Sequence, residues 1–151
     1  MLNDDTAVWL KRTIALLGTM LIVTNGVSMA SHLQDNDDGT VKDLATGLVW
    51  QQLASDTTRD WNASVSYCAG LVLGERSEWR LPEVKELSSI IDDRITQPSI
   101  DSRMFPETVA SYYWSSSYFG DSSRAWIVLF DSVFITSSRK SIARLVRCVH
   151  D

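Results

Sequence analysis

The segment from Asp35 to Gln51 concentrates acidic residues that could bind a cation. Four carboxylates and Gly39 lie within nine residues of it, and carboxylate oxygens are preferred ligands of Ca²⁺. A calcium loop of the D-x-D-x-[DN]-G type has Gly at its sixth position and Glu at its twelfth. Counted from Asp35, Gly39 is fifth and Thr46 is twelfth, so the register fails. The Asp-Asp-Gly and Ala-Thr-Gly triplets instead predict two hairpin turns, and no metal site is expected.

The residues that could carry acid–base or nucleophilic chemistry form no recognisable catalytic motif. His32 and His150 lie far apart in the sequence and are interpreted as surface residues. Glu83 and Glu86 are interpreted as charges at the start of a helix, where the helix dipole favours them. The serines at 115–117 have no His-based partner in the sequence, and their hydroxyls are expected to hydrogen-bond strand edges. Without a G-x-S-x-G, H-E-x-x-H, P-loop or G-x-G-x-x-G motif, the chain is predicted not to be an enzyme and to need no cofactor.

The two cysteines, Cys68 and Cys148, are the remaining reactive side chains. In an oxidising compartment an isolated pair most simply forms one disulfide. A metal-binding or redox pair is the competing interpretation, but no C-x-x-C spacing supports it.

Residues 1–30 are predicted to be a signal peptide. Lys11 and Arg12 precede an uncharged, mostly apolar run of 15 residues, and small residues occupy the two positions that a signal peptidase recognises before cleavage after Ala30. The run is shorter than the roughly 18 to 20 apolar residues that a spanning helix needs. We therefore expect residues 31–151 to be secreted or periplasmic, with no stable membrane span. A retained signal anchor and an internal start of translation are the alternatives.

Composition limits the class of protein and its partners. A chain of 151 residues that is 44% hydrophobic and 22% charged is typical of a single globular domain. The net charge of −5 argues against a nucleic-acid partner. The charge is uneven, however, because residues 119–151 carry five basic and three acidic side chains. A local basic face near the C-terminus is therefore predicted.

Hydrophobic periodicity predicts two helices. The first is predicted over residues 58–73, capped by Thr57 or Thr58 and ended by Gly74. Its buried stripe is predicted to comprise Trp61, Val65, Cys68, Ala69 and Val72. The second is predicted to have Pro82 at its first helical position. Its inward residues are predicted to be Val84, Leu87 and Ile91.

Strand-like segments account for much of the remaining chain. They are residues 40–43, 48–51, 112–117, 125–130, 132–138 and 143–150. The segment 125–130 is apolar on both faces, which is typical of a central, covered strand. Only Asp131 separates it from the next segment, so the two are expected to form a tight hairpin.

An ordered set of seven segments spans about residues 33–150. They are DNDDGTVKDLATGLVWQ, Trp61 followed by Tyr67-Cys68, EWRLPEVKEL, FPET, YYWSSS, AWIVLF and RLVRCVH. In content and order this set resembles the C-terminal domain family of the Legionella collagen-like adhesin, the Lcl C-terminal domain family. One departure is the turn after AWIVLF, where the family usually has Gly and this chain has Asp131-Ser132.

The resemblance implies an α+β fold with a C-type-lectin-like or formylglycine-generating-enzyme-like scaffold. Two helices would pack on an irregular antiparallel sheet, with a Cys68–Cys148 bridge. The calcium-lectin triplet has no full counterpart, because Gln97-Pro98-Ser99 lacks the final carboxyl or amide ligand.

The resemblance also implies a binding role, with a glycan such as a sulfated polysaccharide as ligand. Aromatic rings stack on sugar faces, and Arg pairs with sulfate or carboxylate through a two-point fork. The candidate ligand-binding residues are Tyr112, Tyr113, Trp114, Tyr118, Arg124, Arg139, Lys140 and Arg144. Whether Trp114 is a binding surface or a core residue stays open.

The predicted function is therefore a non-enzymatic, exported binding or adhesion module at the cell envelope. Its partner would be a glycan or an envelope protein. The alternatives are a degenerate oxidoreductase of the formylglycine-generating type and a structural subunit of a surface appendage.

Overall fold

The computed structural model describes residues 32–151, so the predicted signal peptide and its cleavage site lie outside it. The described elements are β1 (Leu33–Asp35), β2 (Thr40–Asp43), β3 (Val49–Gln51), α1 (Trp61–Ala69), α2 (Val84–Ser89), β4 (Tyr112–Phe119), β5 (Arg124–Leu129), β6 (Phe134–Arg139) and β7 (Val149–His150). The predicted α+β class with two helices is confirmed. The antiparallel strands form two sheets, ordered β1-β2-β3-β7 and β4-β5-β6, where one irregular sheet was expected.

The acidic segment forms the two turns of the first sheet. The Asp38 carboxylate accepts a hydrogen bond from the backbone N–H of Thr40 at 3.0 Å, and Gly39 has a φ of +81°. In the next turn the Asp43 carboxylate accepts from the N–H of Ala45 at 2.9 Å. Both hairpins are confirmed, and their acidic side chains hold the turns together. Among the residues that the structure describes, no cluster of His, Cys, Asp or Glu could hold a metal ion.

The second sheet has β5 at its centre, as its apolarity on both faces predicted. The expected hairpin joins β5 to β6, with Trp126 opposite Ser137. The residue with the left-handed backbone in this turn is Val133, at a φ of +55°. A β-branched residue is strained in that conformation, and Gly is not.

The predicted strand 143–150 is mostly wrong, because this segment passes from one sheet to the other. The carbonyl of Leu145 accepts from the N–H of Trp114 in β4 at 3.0 Å. Only the last two residues form β7, where Val149 pairs with Trp50 of β3. The backbone partners change along the segment, so it cannot continue as one strand.

The hydrophobic core lies on both sides of the second sheet. Tyr113 and Val128 pack in a cluster with Leu87 of α2, whereas Trp114 packs in a cluster with Cys68 of α1. Successive side chains of a strand point to opposite faces. We therefore call the two sides of this sheet the α2 face and the α1 face.

Helix α1 is shorter than predicted. Its N-cap is Asp60, whose carboxylate accepts from the N–H of Ala63 at 2.8 Å, and its C-cap is Gly70. The buried residues are Ser64 and Cys68. Ser64 tolerates burial because its hydroxyl donates to the Asp60 carbonyl at 2.7 Å. The predicted stripe is wrong for three exposed residues, Val65, Ala69 and Val72.

Helix α2 begins two residues after Pro82, with Glu83 as its N-cap. Glu83 and Glu86 form a capping box, in which each side chain accepts a hydrogen bond from the backbone N–H of the other residue. Leu87 is buried, as predicted. Neither helix of the described part is long and apolar enough to cross a membrane.

The predicted disulfide between Cys68 and Cys148 is present. It joins α1 to the residue just before β7 across 80 residues of sequence, and both cysteines are fully buried. The bridge ties the last segment of the chain to the helix on the α1 face.

Candidate functional site

The second sheet divides the predicted ligand-binding residues between its two faces. The register places Arg124 opposite both Phe119 and Arg139. Directly opposed residues share a face, and Arg124 alternates with Trp126, so this row lies on the α2 face. Tyr118 is instead opposite Ala125, one residue out of phase, and it lies on the α1 face. The single patch expected from the sequence is therefore not formed.

Two of the predicted ligand-binding residues, Tyr113 and Trp114, belong to the core. Both have 0% exposure. The Trp114 indole N–H donates to the Arg59 carbonyl at 3.0 Å, and the Tyr113 hydroxyl donates to the Val109 carbonyl at 3.1 Å. The structure corrects their assignment as ligand-binding residues, because neither ring is accessible.

The α1 face carries a cation held between two aromatic rings. Lys140 Nζ lies 3.9 Å from the ring centroids of both Trp61 and Tyr118, which are 5.5 Å from each other. The indole N–H of Trp61 donates to the Ser115 carbonyl at 2.8 Å, which fixes the ring. Tyr118 remains 58% exposed. We call Trp61, Tyr118 and Lys140 the Lys140 cluster.

A second cation on the α1 side extends this surface. The Arg144 guanidinium carbon lies 5.2 Å from the ring centroid of Tyr112. Its Nη2 lies 3.4 Å from the hydroxyl of Ser138, which is in the same cross-strand row as Tyr118. The backbone N–H groups of Arg59 and Trp61 donate to the carbonyls of Arg144 and Lys140 at 2.8 and 2.9 Å, so Arg144 and the Lys140 cluster lie along the same segment before α1.

The α2 face carries a groove of about 480 Å³ between α2 and the sheet. It is lined by Val84, Lys85, Ser88, Ser89, Trp126 and Ile135. Phe119 packs edge-on against Trp126, with ring centroids 4.9 Å apart. Arg124 is fixed next to this row, since its Nε and Nη2 donate to the hydroxyl and carbonyl of Ser137 at 3.1 and 2.9 Å. Arg139 is exposed opposite it. We call this the α2 groove.

The cations of both surfaces form no ion pairs within residues 32–151, although hydrogen bonds from Ser123 and the charge of Arg124 lower the pKa of Asp121. The ion pairs within residues 32–151 involve four other arginines, Arg76, Arg80, Arg94 and Arg103. None involves Lys85, Arg124, Arg139, Lys140 or Arg144. Both surfaces therefore present cations without ion-pair partners on a protein with a net charge of −5.

The residues weighed as catalytic have structural partners. The Glu86 carboxylate accepts two hydrogen bonds from Arg80, at 2.7 and 2.8 Å, and Arg80 lowers the pKa of Glu86. A carboxylate held ionised in this way is a poor general acid. The Ser115 hydroxyl donates to the Trp126 carbonyl at 2.8 Å, and the Ser117 hydroxyl accepts from a backbone N–H of α2 at 3.0 Å. Hydrogen bonding by the serines is confirmed.

Sequence reasoning did not place Trp126 and Lys85 beside the candidate residues, and it placed Trp61 in the buried stripe of a helix. Trp126 could have been found, because it shares the strand phase of Arg124. Lys85 and Trp61 carry no such signal, since they reach their surfaces through the packing of α2 and α1 on the sheet.

Comparison with models of known protein families gives a match over most of the described chain. The model of the Lcl C-terminal domain matches residues 39–150. The match contains β2 to β7, both cysteines and all the cations of the two surfaces. No curated protein matches the chain.

Proposed function

The chain belongs to the Lcl C-terminal domain family, and from this premise we propose that it is an exported, non-enzymatic module that binds an anionic, sulfated polysaccharide at the cell envelope. Family membership is consistent with an adhesin-like module, and together with the disulfide it fits an extracellular location. One observation carries the choice of ligand. Arg124 and Arg139, two cations without an ion-pair partner in residues 32–151, lie opposite each other next to the α2 groove.

The opposition of Arg124 and Arg139 is unfavourable in the unbound protein. Like charges directly opposite each other destabilise an antiparallel pair, as Arg124 and Arg139 are in the β5–β6 register. No carboxylate within residues 32–151 forms an ion pair with either. A sulfate between them would relieve this repulsion and accept charge-assisted hydrogen bonds from both guanidinium groups. The pair is therefore suited to an anion.

The α2 groove offers surfaces for the sugar rings themselves. Its volume of about 480 Å³ lies in the range of typical ligand sites, roughly 300–1,000 Å³. Trp126 supplies an aromatic surface, Ser88 and Ser89 supply hydroxyls, and Lys85 adds a cation on the opposite wall. An alternation of apolar rings, hydroxyls and anionic groups along a polysaccharide matches this lining.

The sheets, the disulfide and the cations also bear on the scaffold type and on the two alternative functions. We propose that the terminal strands sharing one sheet, beside a second three-stranded sheet, form the C-type-lectin-like scaffold. An oxidoreductase would need reactive thiols, whereas Cys68 and Cys148 are joined and fully buried. A structural subunit of an appendage would leave the unpaired cations without a role.

The test compares the binding of dextran sulfate and neutral dextran by isothermal titration calorimetry at several salt concentrations. The Arg124→Ala/Arg139→Ala variant is expected to bind dextran sulfate at the α2 groove about tenfold more weakly or worse, since each charge-assisted hydrogen bond contributes about 1.5–3 kcal/mol. Wild-type affinity is expected to fall as salt rises.

The matched control is Arg94→Ala/Arg103→Ala. It changes net charge by the same amount, but Arg94 and Arg103 are each paired with their own neighbouring aspartate. Its affinity is expected to stay within about threefold of wild type. Equal weakening in both variants, or no binding of dextran sulfate by wild type at low salt, would refute the proposal.

A further inference from the structure

The Lys140 cluster and Arg144 lie across the sheet from the α2 groove. Tyr118 and Phe119 are adjacent in β4 and point to opposite faces, one towards Lys140 and the other towards Trp126. Each face also buries its own core cluster. The two cationic surfaces are thus separated by the sheet and its packing.

The Lys140 cluster is organised before any ligand arrives. Its two rings hold the ammonium group, and the backbone N–H of Trp61 donates to the Lys140 carbonyl at 2.9 Å. A free lysine side chain loses rotamer entropy when it is fixed; here part of that loss has already occurred on folding. The Nζ protons form no hydrogen bond with residues 32–151, so they are available to an anion.

The chemistry of this surface repeats that of the α2 face. Lys140 and Arg144 are cations without an acidic partner, and the exposed ring of Tyr118 provides a stacking surface. We propose that the α1 face is a second site for the same class of sulfated polysaccharide, so that one domain binds two chains. This inference rests on the proposed function of the α2 face.

A bivalent domain would cross-link polysaccharide chains without forming an oligomer. It would also gain avidity on a dense polymer surface, because the second contact becomes intramolecular. The rival arrangement is a single chain that wraps around the end of β6, where Arg139 and Lys140 are consecutive. The number of short oligosaccharides bound per protein distinguishes between these two arrangements.

The test titrates a sulfated hexasaccharide into wild type and two variants at low salt. Arg124→Ala/Arg139→Ala removes the α2-face cations. Lys140→Met/Arg144→Met removes the α1-face cations while keeping apolar stems against the aromatic rings. Wild type is expected to bind two molecules and each variant one, with the remaining site within about twofold of its original affinity because the sites are independent. The variant with all four changes is expected to bind none.

A long dextran sulfate provides the second readout. Wild type is expected to cross-link it and scatter light, whereas neither two-residue variant does. A one-to-one complex weakened by both variants would show wrapping and overturn the second site. An α1-face variant that binds and cross-links like wild type would also overturn it, leaving the proposed function intact. Absence of any wild-type binding would instead overturn the proposed function.

Discussion

Replacing Arg147 tests whether the core requires the geometry of a guanidinium or merely its charge. The side chain is fully buried. Nη1 donates to the carbonyls of Gln51 and Gln52 at 2.7 and 2.5 Å, and Nη2 donates to the Thr108 hydroxyl at 2.7 Å. The guanidinium carbon lies 4.6 Å from the Phe105 ring centroid. Within residues 32–151 no carboxylate forms an ion pair with it.

The contribution of Arg147 to the free energy of unfolding is the balance of two opposing effects. Three charge-assisted hydrogen bonds contribute about 1.5–3 kcal/mol each. Against this, burial lowers the pKa of Arg147 to about 10 from 12.5, and its buried Nε has no hydrogen-bond partner within residues 32–151. The side chain remains charged at pH 7 and is net stabilising. Arg147→Ala removes the donors and leaves buried acceptors unsatisfied, so we expect it to lower the free energy of unfolding by about 3–5 kcal/mol.

Arg147→Lys is the decisive variant. It retains a buried charge, but one ammonium nitrogen cannot reach acceptors arranged for the two ends of a planar fork. We therefore expect a loss of at least about 2 kcal/mol, in urea unfolding at pH 7 with the disulfide intact. The matched controls are Arg103→Ala and Arg103→Lys, since the Arg103 side chain is 82% exposed, and they should stay within about 0.5 kcal/mol of wild type. Stability of Arg147→Lys within about 1 kcal/mol of wild type would refute the argument from geometry.

Two further predictions concern the bridge and one turn. The Cys68→Ser/Cys148→Ser variant should lose about 4.5 kcal/mol of stability in urea unfolding, because the bridge closes 80 residues; a variant as stable as oxidised wild type would contradict this. Val133→Gly should gain about 0.5–1 kcal/mol in thermal unfolding, because it relieves the strain of a β-branched residue at a φ of +55°. Val133→Thr, equally branched, should change little, and a less stable Val133→Gly protein would refute the strain.

Local signals in the sequence predicted the hairpins, whereas the disulfide was predicted from the cysteine content, the expected export and the family resemblance. The turns around Asp38 and Asp43 depend on hydrogen bonds between neighbouring residues, and such bonds are visible as residue types. The burial pattern of α1 was not visible in this way. Ser64 is buried because its hydroxyl has a partner one turn away, and Val72 is exposed because the helix has already ended at Gly70. Hydrophobic periodicity predicts neither the burial of Ser64 nor the exposure of Val72.

The candidate site was predictable by residue type but not by position. Aromatic and basic residues between Tyr112 and Arg144 do line the two candidate surfaces, yet a difference of one residue decides the face. Tyr118 and Phe119 show this, since one contacts Lys140 and the other Trp126. The phase of a strand is fixed by its partners and by bulges, which the sequence alone does not specify.

Two serines of β4 position the Lys140 cluster and the α2 groove through hydrogen bonds. The β4–β5 register shifts between Trp114 and Tyr118, and such an irregularity frees backbone groups from the ladder. The freed carbonyl of Ser115 accepts the Trp61 indole N–H at 2.8 Å, which positions the Lys140 cluster. The Ser117 hydroxyl accepts a backbone N–H of α2 at 3.0 Å, which positions the wall of the α2 groove. The Ser115 carbonyl and the Ser117 hydroxyl thus each bind one helix, so the irregular part of β4 that interrupts the ladder also holds a helix against each face of the sheet.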